Sequence, residues 1–145
     1  MVIQLVLLIA LAAAGTRLGD IWGGAAATAT TVLGVVLITA GGILFTWGLI
    51  ALGRNLTPNP RPLESATLVE GGAYALVRHP LYGGLTVAAF GWGLLQASPV
   101  ALLLAVGLFG FFDLKSRREE TWLVKKYAGY VEYASRVRRL IPWIY

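Results

Sequence analysis

Residues 81–114 read LYGGLTVAAFGWGLLQASPVALLLAVGLFGFFDL, which is a pair of apolar runs separated by one short polar break. The break, Gln96-Ala97-Ser98-Pro99, has the composition of a turn. A membrane-spanning helix needs about 20 mainly apolar residues, and the flanks can supply part of that length. We therefore predict spans over residues 81–97 and 100–114, joined as a tight helical hairpin.

Two further apolar segments precede this hairpin, at residues 2–18 and 25–52. The whole chain of 145 residues is 57% hydrophobic and only 13% charged, whereas about a quarter of the residues in a soluble domain are charged. A chain this short cannot bury such blocks inside itself. We predict an all-α integral membrane protein with about four transmembrane helices, forming a single membrane-embedded domain over residues 1–145.

The segment that follows residue 114 is rich in charge. Its apolar side chains recur at spacings of three and four, which predicts a cytoplasmic amphipathic helix over residues 115–137. The closing residues, 140–145, include Trp and Tyr, which suit the lipid headgroup layer. The residues that define the apolar face of the predicted helix are Leu123, Tyr127, Tyr130, Ala134 and Val137.

The distribution of Lys and Arg predicts the orientation. Eight of them lie in residues 113–145 and three in the loop over residues 53–80, whereas the first loop has only Arg17, beside Asp20. Because cytoplasmic loops carry an excess of Lys and Arg, we expect both termini and the 53–80 loop to face the cytoplasm. The net charge of +5 is thereby explained without a nucleic-acid partner.

Composition also excludes some chemistry. The chain has no cysteine, so it has no disulfide, thiolate nucleophile or Cys-ligated metal. Its single histidine, His79, supplies too few nitrogen ligands for a usual zinc site. We expect no metal centre.

The histidine lies in a polar cluster at the start of the third apolar segment, where residues 71–84 read GGAYALVRHPLYGG. Pro80 suits the first turn of a helix, and the N–H groups of such a turn can hold a carboxylate or phosphate. Tyr82 offers an aromatic face to a cation. An interfacial anchor, with Arg78 reaching the lipid headgroups, explains the same residues equally well.

An acidic pair, Glu119 and Glu120, follows the fourth apolar segment. Adjacent acids point to different sides of a helix, so we expect at most one of them to face a pocket. A solvated face with surface ion pairs is the alternative. If the hairpin forms, one of the acids lies near His79 and Tyr82, and a pocket with both signs of charge suits a zwitterionic ligand.

Taken in order, these motifs resemble the isoprenylcysteine carboxyl methyltransferase family, which is related to phospholipid N-methyltransferases. The resemblance covers roughly residues 53–145, although the segment before Tyr130 is one residue shorter than is common in the family. It rests on Gly72-Ala73-Tyr74, Arg78-His79-Pro80-Leu81-Tyr82-Gly83, Glu119-Glu120-Thr121-Trp122-Leu123, Tyr130-Val131-Glu132-Tyr133 and Arg139-Leu140-Ile141-Pro142.

The resemblance implies S-adenosylmethionine as the cofactor, bound without a Rossmann domain, and direct methyl transfer to a lipid-like acceptor that resides in the bilayer. Arg54 is expected to orient that acceptor, and the two acids are expected to hold the amino or ribose groups of the cofactor. The implied catalytic residues are Arg54, Arg78 and Glu120, and the implied cofactor-binding residues are Tyr74, His79, Pro80, Tyr82, Gly83, Glu119 and Glu120.

Two other functions stay open on the sequence. Membrane sterol reductases carry a similar Arg-His-x-x-Tyr-x-Gly loop and use NADPH, although the Glu119–Glu120 pair argues against a wide basic site for its 2′-phosphate. A non-catalytic membrane scaffold needs only glycine-rich spans and a basic tail. The atom that accepts the methyl group (oxygen, nitrogen or sulfur) is also open.

Overall fold

The computed structural model describes residues 2–17, 24–53 and 67–145. Within these ranges the regular secondary structure is helical, including a short 3-10 helix at Gly72–Ala75, and turns and irregular segments connect the helices. This confirms the predicted all-helical class. An isolated parallel bridge joins Val77 and Arg138. The α-helices are α1 (Val2–Arg17), α2 (Gly24–Leu52), α3 (Pro80–Leu95), α4 (Pro99–Lys126) and α5 (Tyr130–Arg136).

Two described helices are long and apolar enough to cross a membrane, Ala27–Leu52 and Pro99–Lys126, and two shorter helices, Val2–Thr16 and Pro80–Leu95, are also apolar. Only 17% of the apolar window of the first helix and 28% of that of the second are buried. A core helix of a soluble protein would be mostly buried, and extensive exposed apolar surface marks an interaction surface. The exposure fits helices that lie against lipid, while membrane crossing by all four helices stays a prediction.

The bounds of α1, α2 and α3 lie close to the segments predicted from the sequence, but the chain after residue 114 differs from the predicted helix over 115–137. Helix α4 continues without a break to Lys126, because the intervening residues are good helix formers and Asp113 pairs with Arg117 one turn later at 2.8 Å. The break falls at the turn that contains Gly129, and the short helix α5 follows. The predicted apolar face is therefore divided between two helices.

The described chain forms two compact units, Met1–Ile43 with Gly84–Phe111 and Leu44–Gly83 with Phe112–Tyr145. In the first unit, α2 and α3 approach each other closely at small residues. A Cβ atom placed on Gly41 would lie 2.5 Å from the carbonyl oxygen of Gly84 and 2.7 Å from the backbone nitrogen of Ala88. Such contacts are how apolar helices associate where lipid supplies no hydrophobic drive.

The first unit also contains the predicted turn between α3 and α4. Helix α3 ends at Leu95 and α4 begins at Pro99, which suits the first helical position. The buried hydroxyl of Ser98 accepts a hydrogen bond from the backbone N–H of Ala101 at 3.2 Å, which is a helix cap, and donates to the carbonyl of Ala14 at 3.2 Å. The turn is thus fixed by side-chain hydrogen bonds as well as by its backbone.

In the second unit, the end of the chain runs beside the segment that enters α3. The backbone N–H of Arg78 donates to the carbonyl of Arg138 at 2.8 Å, and that of His79 donates to the carbonyl of Arg139 at 3.0 Å. Leu140 is fully buried there. Backbone hydrogen bonds therefore fix the position of Arg78 and His79 in addition to their side-chain contacts.

Candidate functional site

The histidine lies against the second acid of the Glu119–Glu120 pair. Nε2 of His79 is 3.2 Å from Oε1 of Glu120, and Nε of Arg78 donates to the same oxygen at 2.8 Å. The three side chains are only 7%, 13% and 10% exposed, in the order His79, Glu120, Arg78. A carboxylate so far from water needs partners of this kind, because an unpaired buried charge is costly.

Most of the hydrogen-bonding capacity of Arg78 is used inside the protein. Its Nη1 donates to the carbonyl of Ala134 at 2.8 Å and to that of Val137, and its Nη2 donates to Oε2 of Glu120 at 3.4 Å. A guanidinium has five N–H donors, and these contacts together with the one from Nε use four of them. Arg78 therefore joins α4 to the end of α5 and leaves one N–H group without a described partner.

Both acids of the pair contact the motif, so the expectation that at most one would face inward is wrong. The hydroxyl of Tyr82 donates to Oε1 of Glu119 at 2.7 Å, and Nδ1 of His79 is 3.8 Å from Oε2 of the same carboxylate. The side chain of Glu119 is 13% exposed, like that of Glu120. Both turn inward because partners reach α4 from two sides, Tyr82 from α3 and Arg78 from the preceding loop.

Three aromatic rings form a parallel series beside the acids. The centroids of the His79 and Tyr82 rings are 5.6 Å apart, and those of Tyr82 and Phe112 are 4.8 Å apart, with interplanar angles of 8° in both cases. The ammonium of Lys115 lies 4.8 Å from the centre of the Tyr82 ring. The ring expected to offer a face to a cation is therefore already close to a cation of its own chain.

Pro80 and Gly83 shape the first turn of α3, and Pro80 is its first residue. The N–H of Gly83 donates to the carbonyl of His79 at 2.9 Å. A Cβ atom on Gly83 would lie 2.0 Å from the carbonyl oxygen of Leu140. A residue without a side chain is needed here because the tail, the segment after α5 that contains Leu140, approaches α3 so closely.

Tyr74 lies in the 3-10 helix and is buried. Its carbonyl accepts a hydrogen bond from the hydroxyl of Tyr133 at 2.6 Å. Burial, and secondly the negative charge of Glu119, raise the pKa of Tyr74 to about 12. Burial raises the pKa of Tyr133 as well. Both phenols therefore keep their protons at neutral pH, and the Tyr133 hydroxyl serves as a hydrogen-bond donor.

A second ionic group, which was not predicted from the sequence, is joined to the first through Arg139. Arg139 contacts Oε2 of Glu120 at 3.3 Å and Oδ1 of Asp113 at 3.2 Å. Asp113 also accepts hydrogen bonds from Nε of Arg117 at 2.8 Å and from the hydroxyl of Tyr145 at 3.0 Å. The spacing of the two acids could have indicated this group. Asp113 and Glu120 lie about two helical turns apart on α4 and therefore share a face of the helix.

Arg54, expected to orient the acceptor, lies outside the described residues, and its role stays a prediction. Within the part of the chain that the structure describes, no group of three or more His, Asp or Glu side chains is arranged to hold a metal ion.

Comparison with known protein families and with individual proteins shows which family the chain belongs to. The family model of the phospholipid methyltransferases matches residues 29–129, which is most of the chain. The chain therefore belongs to the phospholipid methyltransferase family.

The relatives agree with the motif resemblance described above. Protein-S-isoprenylcysteine O-methyltransferase B of Arabidopsis thaliana is 34% identical over 116 residues, which cover 77% of this chain and 58% of the relative. The human protein-S-isoprenylcysteine O-methyltransferase is 28% identical over 119 residues, 79% of this chain and 42% of the relative. The chain thus spans about half the length of these curated relatives, and the likeness to isoprenylcysteine carboxyl methyltransferases is confirmed.

The fold is shared with a solved protein. The structure of the eukaryotic intramembrane Ras methyltransferase, isoprenylcysteine carboxyl methyltransferase, matches with a TM-score of 0.72 and 22% sequence identity. The match covers 99% of this chain and 52% of that one. At this identity the comparison shows the common fold and nothing about individual residues.

Proposed function

We propose that this chain catalyses methyl transfer from S-adenosylmethionine to a lipophilic acceptor that resides in the membrane. The observation that carries the proposal is the joining of His79, Tyr82, Glu119 and Glu120 in one buried, hydrogen-bonded cluster. The relatives are methyltransferases by name, which supports the activity for a chain about half their length.

The chemistry of the cluster fits this cofactor. An amino-acid end with both an ammonium and a carboxylate needs partners of both signs, and a ribose needs acceptors for its hydroxyl groups. Glu119 and Glu120 would accept from the ammonium and the ribose, while His79 and Tyr82 would add polar and aromatic contacts. When bound, the cofactor supplies a methyl group already activated by a sulfonium.

The work left to the protein is then positioning and the exclusion of water. Tyr82 fixes the carboxylate of Glu119 through its hydroxyl, and Arg78 fixes that of Glu120 through two nitrogens. Because most N–H groups of Arg78 are already engaged, we assign it to positioning Glu120. Arg54 remains the candidate for orienting the acceptor.

The proposed membrane arrangement has four spans, with both termini and the site on the cytoplasmic side, as the distribution of Lys and Arg predicts. A water-soluble cofactor would then reach the site from the cytosol, and the acceptor would enter sideways from the bilayer. The polar cluster belongs at such a boundary, because buried ionisable groups at membrane depth are expensive and usually functional.

The names of the relatives make an isoprenylcysteine carboxylate the first acceptor to test, and the family description makes a phospholipid amine the second. The test uses the purified chain in detergent with labelled S-adenosylmethionine and either N-acetyl-farnesylcysteine or phosphatidylethanolamine. A carboxyl methyl ester releases its label in base, whereas an N-methyl group does not.

We expect label in one of the two lipids, reduced at least tenfold by Glu120→Ala and unchanged by Glu132→Ala. Glu132 is a matched acid on the exposed surface of α5. Absence of label from both lipids, together with no binding of S-adenosylmethionine, would overturn the proposal.

A further inference from the structure

A cleft of about 320 Å³ lies beside the tail and belongs entirely to the second unit. Its lining includes the last turn of α5 and the extended residues that follow it, and Ile144 and Tyr145 contribute from the end of the chain. Four arginines are among the lining residues, Arg78, Arg136, Arg138 and Arg139, and none of the described lining residues has an acidic side chain.

The four arginines fall into two pairs. Arg78 and Arg139 are largely buried and bonded to Glu120. Arg136 and Arg138 are exposed. The ion pair of Arg136 with Glu70, at 3.4 Å, is also exposed, so it contributes little. The side chain of Arg138 has no ion pair with the residues that the structure describes. The cleft therefore presents positive charge that the described residues do not neutralise, which favours an anionic ligand.

Ile144, which lines the cleft, and Trp143, which precedes it in the chain, are both large apolar residues. Trp143 and Ile144 are 82% and 76% exposed. Trp143 has a backbone φ of 62°, which is costly for a residue other than glycine. This turn persists because the N–H groups of Leu140 and Ile141 both donate to the carbonyl of Tyr145, at 2.7 and 2.8 Å. The hydrogen-bonded turn therefore keeps two large apolar side chains, Trp143 and Ile144, exposed at the surface.

Exposed guanidinium groups that share a cleft with Ile144, together with the exposed Trp143 adjacent to Ile144 in the chain, match the chemistry of an anionic lipid. Basic residues near a membrane surface attract acidic headgroups, and tryptophan prefers the boundary between headgroups and acyl chains. A free phosphate would use the arginines but leave Trp143 and Ile144 without a partner. An acidic peptide would do the same.

We propose that the arginine-lined cleft binds the phosphate of an anionic phospholipid, with Trp143 and Ile144 against the upper part of its acyl chains. This lipid is separate from the methyl acceptor. The inference rests on the proposed membrane setting and does not require methyl transfer.

The test is native mass spectrometry of the full chain in a neutral detergent, titrated with dioctanoyl-phosphatidylglycerol. Arg136→Gln/Arg138→Gln removes the two exposed charges of the cleft. Arg118→Gln/Lys125→Gln removes two exposed charges elsewhere on the second unit and is the matched control. We expect one retained lipid on the unmodified chain, weakened about 30-fold by the cleft variant and less than twofold by the control. Arg136→Lys/Arg138→Lys should retain most of the binding.

Equal binding of dioctanoyl-phosphatidylcholine, or equal losses in the two Gln variants, would overturn the proposal. Displacement of the lipid by equimolar inorganic phosphate, or by a short glutamate-rich peptide, would also overturn it, because either result would assign the cleft to a ligand without acyl chains. Binding of S-adenosylhomocysteine is measured on the same samples and should be unchanged by Arg136→Gln/Arg138→Gln. Failure of the lipid proposal is therefore distinguishable from failure of the proposed methyl transfer.

Discussion

Nε2 of His79 lies 3.2 Å from Oε1 of Glu120, although 41 residues separate the two along the chain. One residue immediately precedes α3 and the other lies in the last third of α4. Those helices are connected by the turn at residues 96–98. His79 and Arg78, from the segment before α3, both contact Glu120 on α4, and the proposed function depends on this polar group.

Glu120→Gln should destabilise the fold as well as remove activity. The change leaves Arg78 and Arg139 facing a neutral amide, and removal of one partner from a buried ion pair costs about 3 kcal/mol. The measurement is the free energy of unfolding in detergent micelles. Glu132→Gln, on an exposed acid, is the control and should change that free energy by about 0.5 kcal/mol or less. Similar values for the two variants would show that the pairing of Glu120 contributes little.

Gly83→Ala should displace the tail, because the new Cβ would lie 2.0 Å from the carbonyl oxygen of Leu140. Overpacking of this kind costs about 1 to 3 kcal/mol, and we expect a lower melting temperature with loss of cofactor binding. Gly107→Ala is the matched control, since nothing lies within 4 Å of its new Cβ and alanine favours the helix. An alanine at position 83 that leaves the protein as stable as this control would contradict the close approach of the tail.

Tyr82→Phe tests the contribution of the Tyr82 hydroxyl to cofactor binding separately from that of its ring. The variant loses the 2.7 Å bond to Glu119 but keeps the rings of His79 and Phe112 as neighbours. A hydrogen bond to a charged group contributes about 1.5 kcal/mol or more, so affinity for S-adenosylhomocysteine should fall about tenfold. Tyr82→Leu also removes the stacked ring and should bind less tightly still. Unchanged affinity in the Phe variant would exclude a role for the hydroxyl.

Asp113→Asn should loosen the end of the chain. Asp113 holds the Tyr145 hydroxyl and Arg139, and the Tyr145 carbonyl accepts from the N–H groups of Leu140 and Ile141. We expect faster hydrogen exchange at those two amides. A double-mutant cycle with Tyr145→Phe should give a coupling energy of about 1 kcal/mol. Strictly additive effects on the free energy of unfolding would show that the two side chains act independently.

The sequence predicted the parts of the fold that depend on local composition. The uncharged run over residues 25–52 and the Gln96–Pro99 break are strong signals, and the bounds of α2, α3 and the turn match them closely. The predicted hairpin of the third and fourth apolar segments was the only reason to expect the motif at residues 78–83 near the acidic pair. The contact between His79 and Glu120 confirms that expectation.

Features that depend on tertiary contacts could not be predicted in this way. The prediction of one helix over residues 115–137 was wrong because it did not include the break near Gly129. Apolar residues keep a helical spacing on both sides of this short turn, so the spacing alone does not reveal the break. The inward position of both acids depends on partners from two different segments. Asp113 lies in an apolar run without a motif, so its link to Arg139 appears only when the tail is in place.

Calorimetry with S-adenosylhomocysteine on the detergent-purified chain tests the central claim most directly. We predict binding to the unmodified chain that is weakened about tenfold or more by His79→Ala and by Glu120→Ala, but not by Glu132→Ala. Circular dichroism should confirm that each variant keeps its helices. Binding of NADPH but not of S-adenosylhomocysteine, or equal binding of S-adenosylhomocysteine by all four proteins, would contradict the assignment of this cluster to the methyl donor.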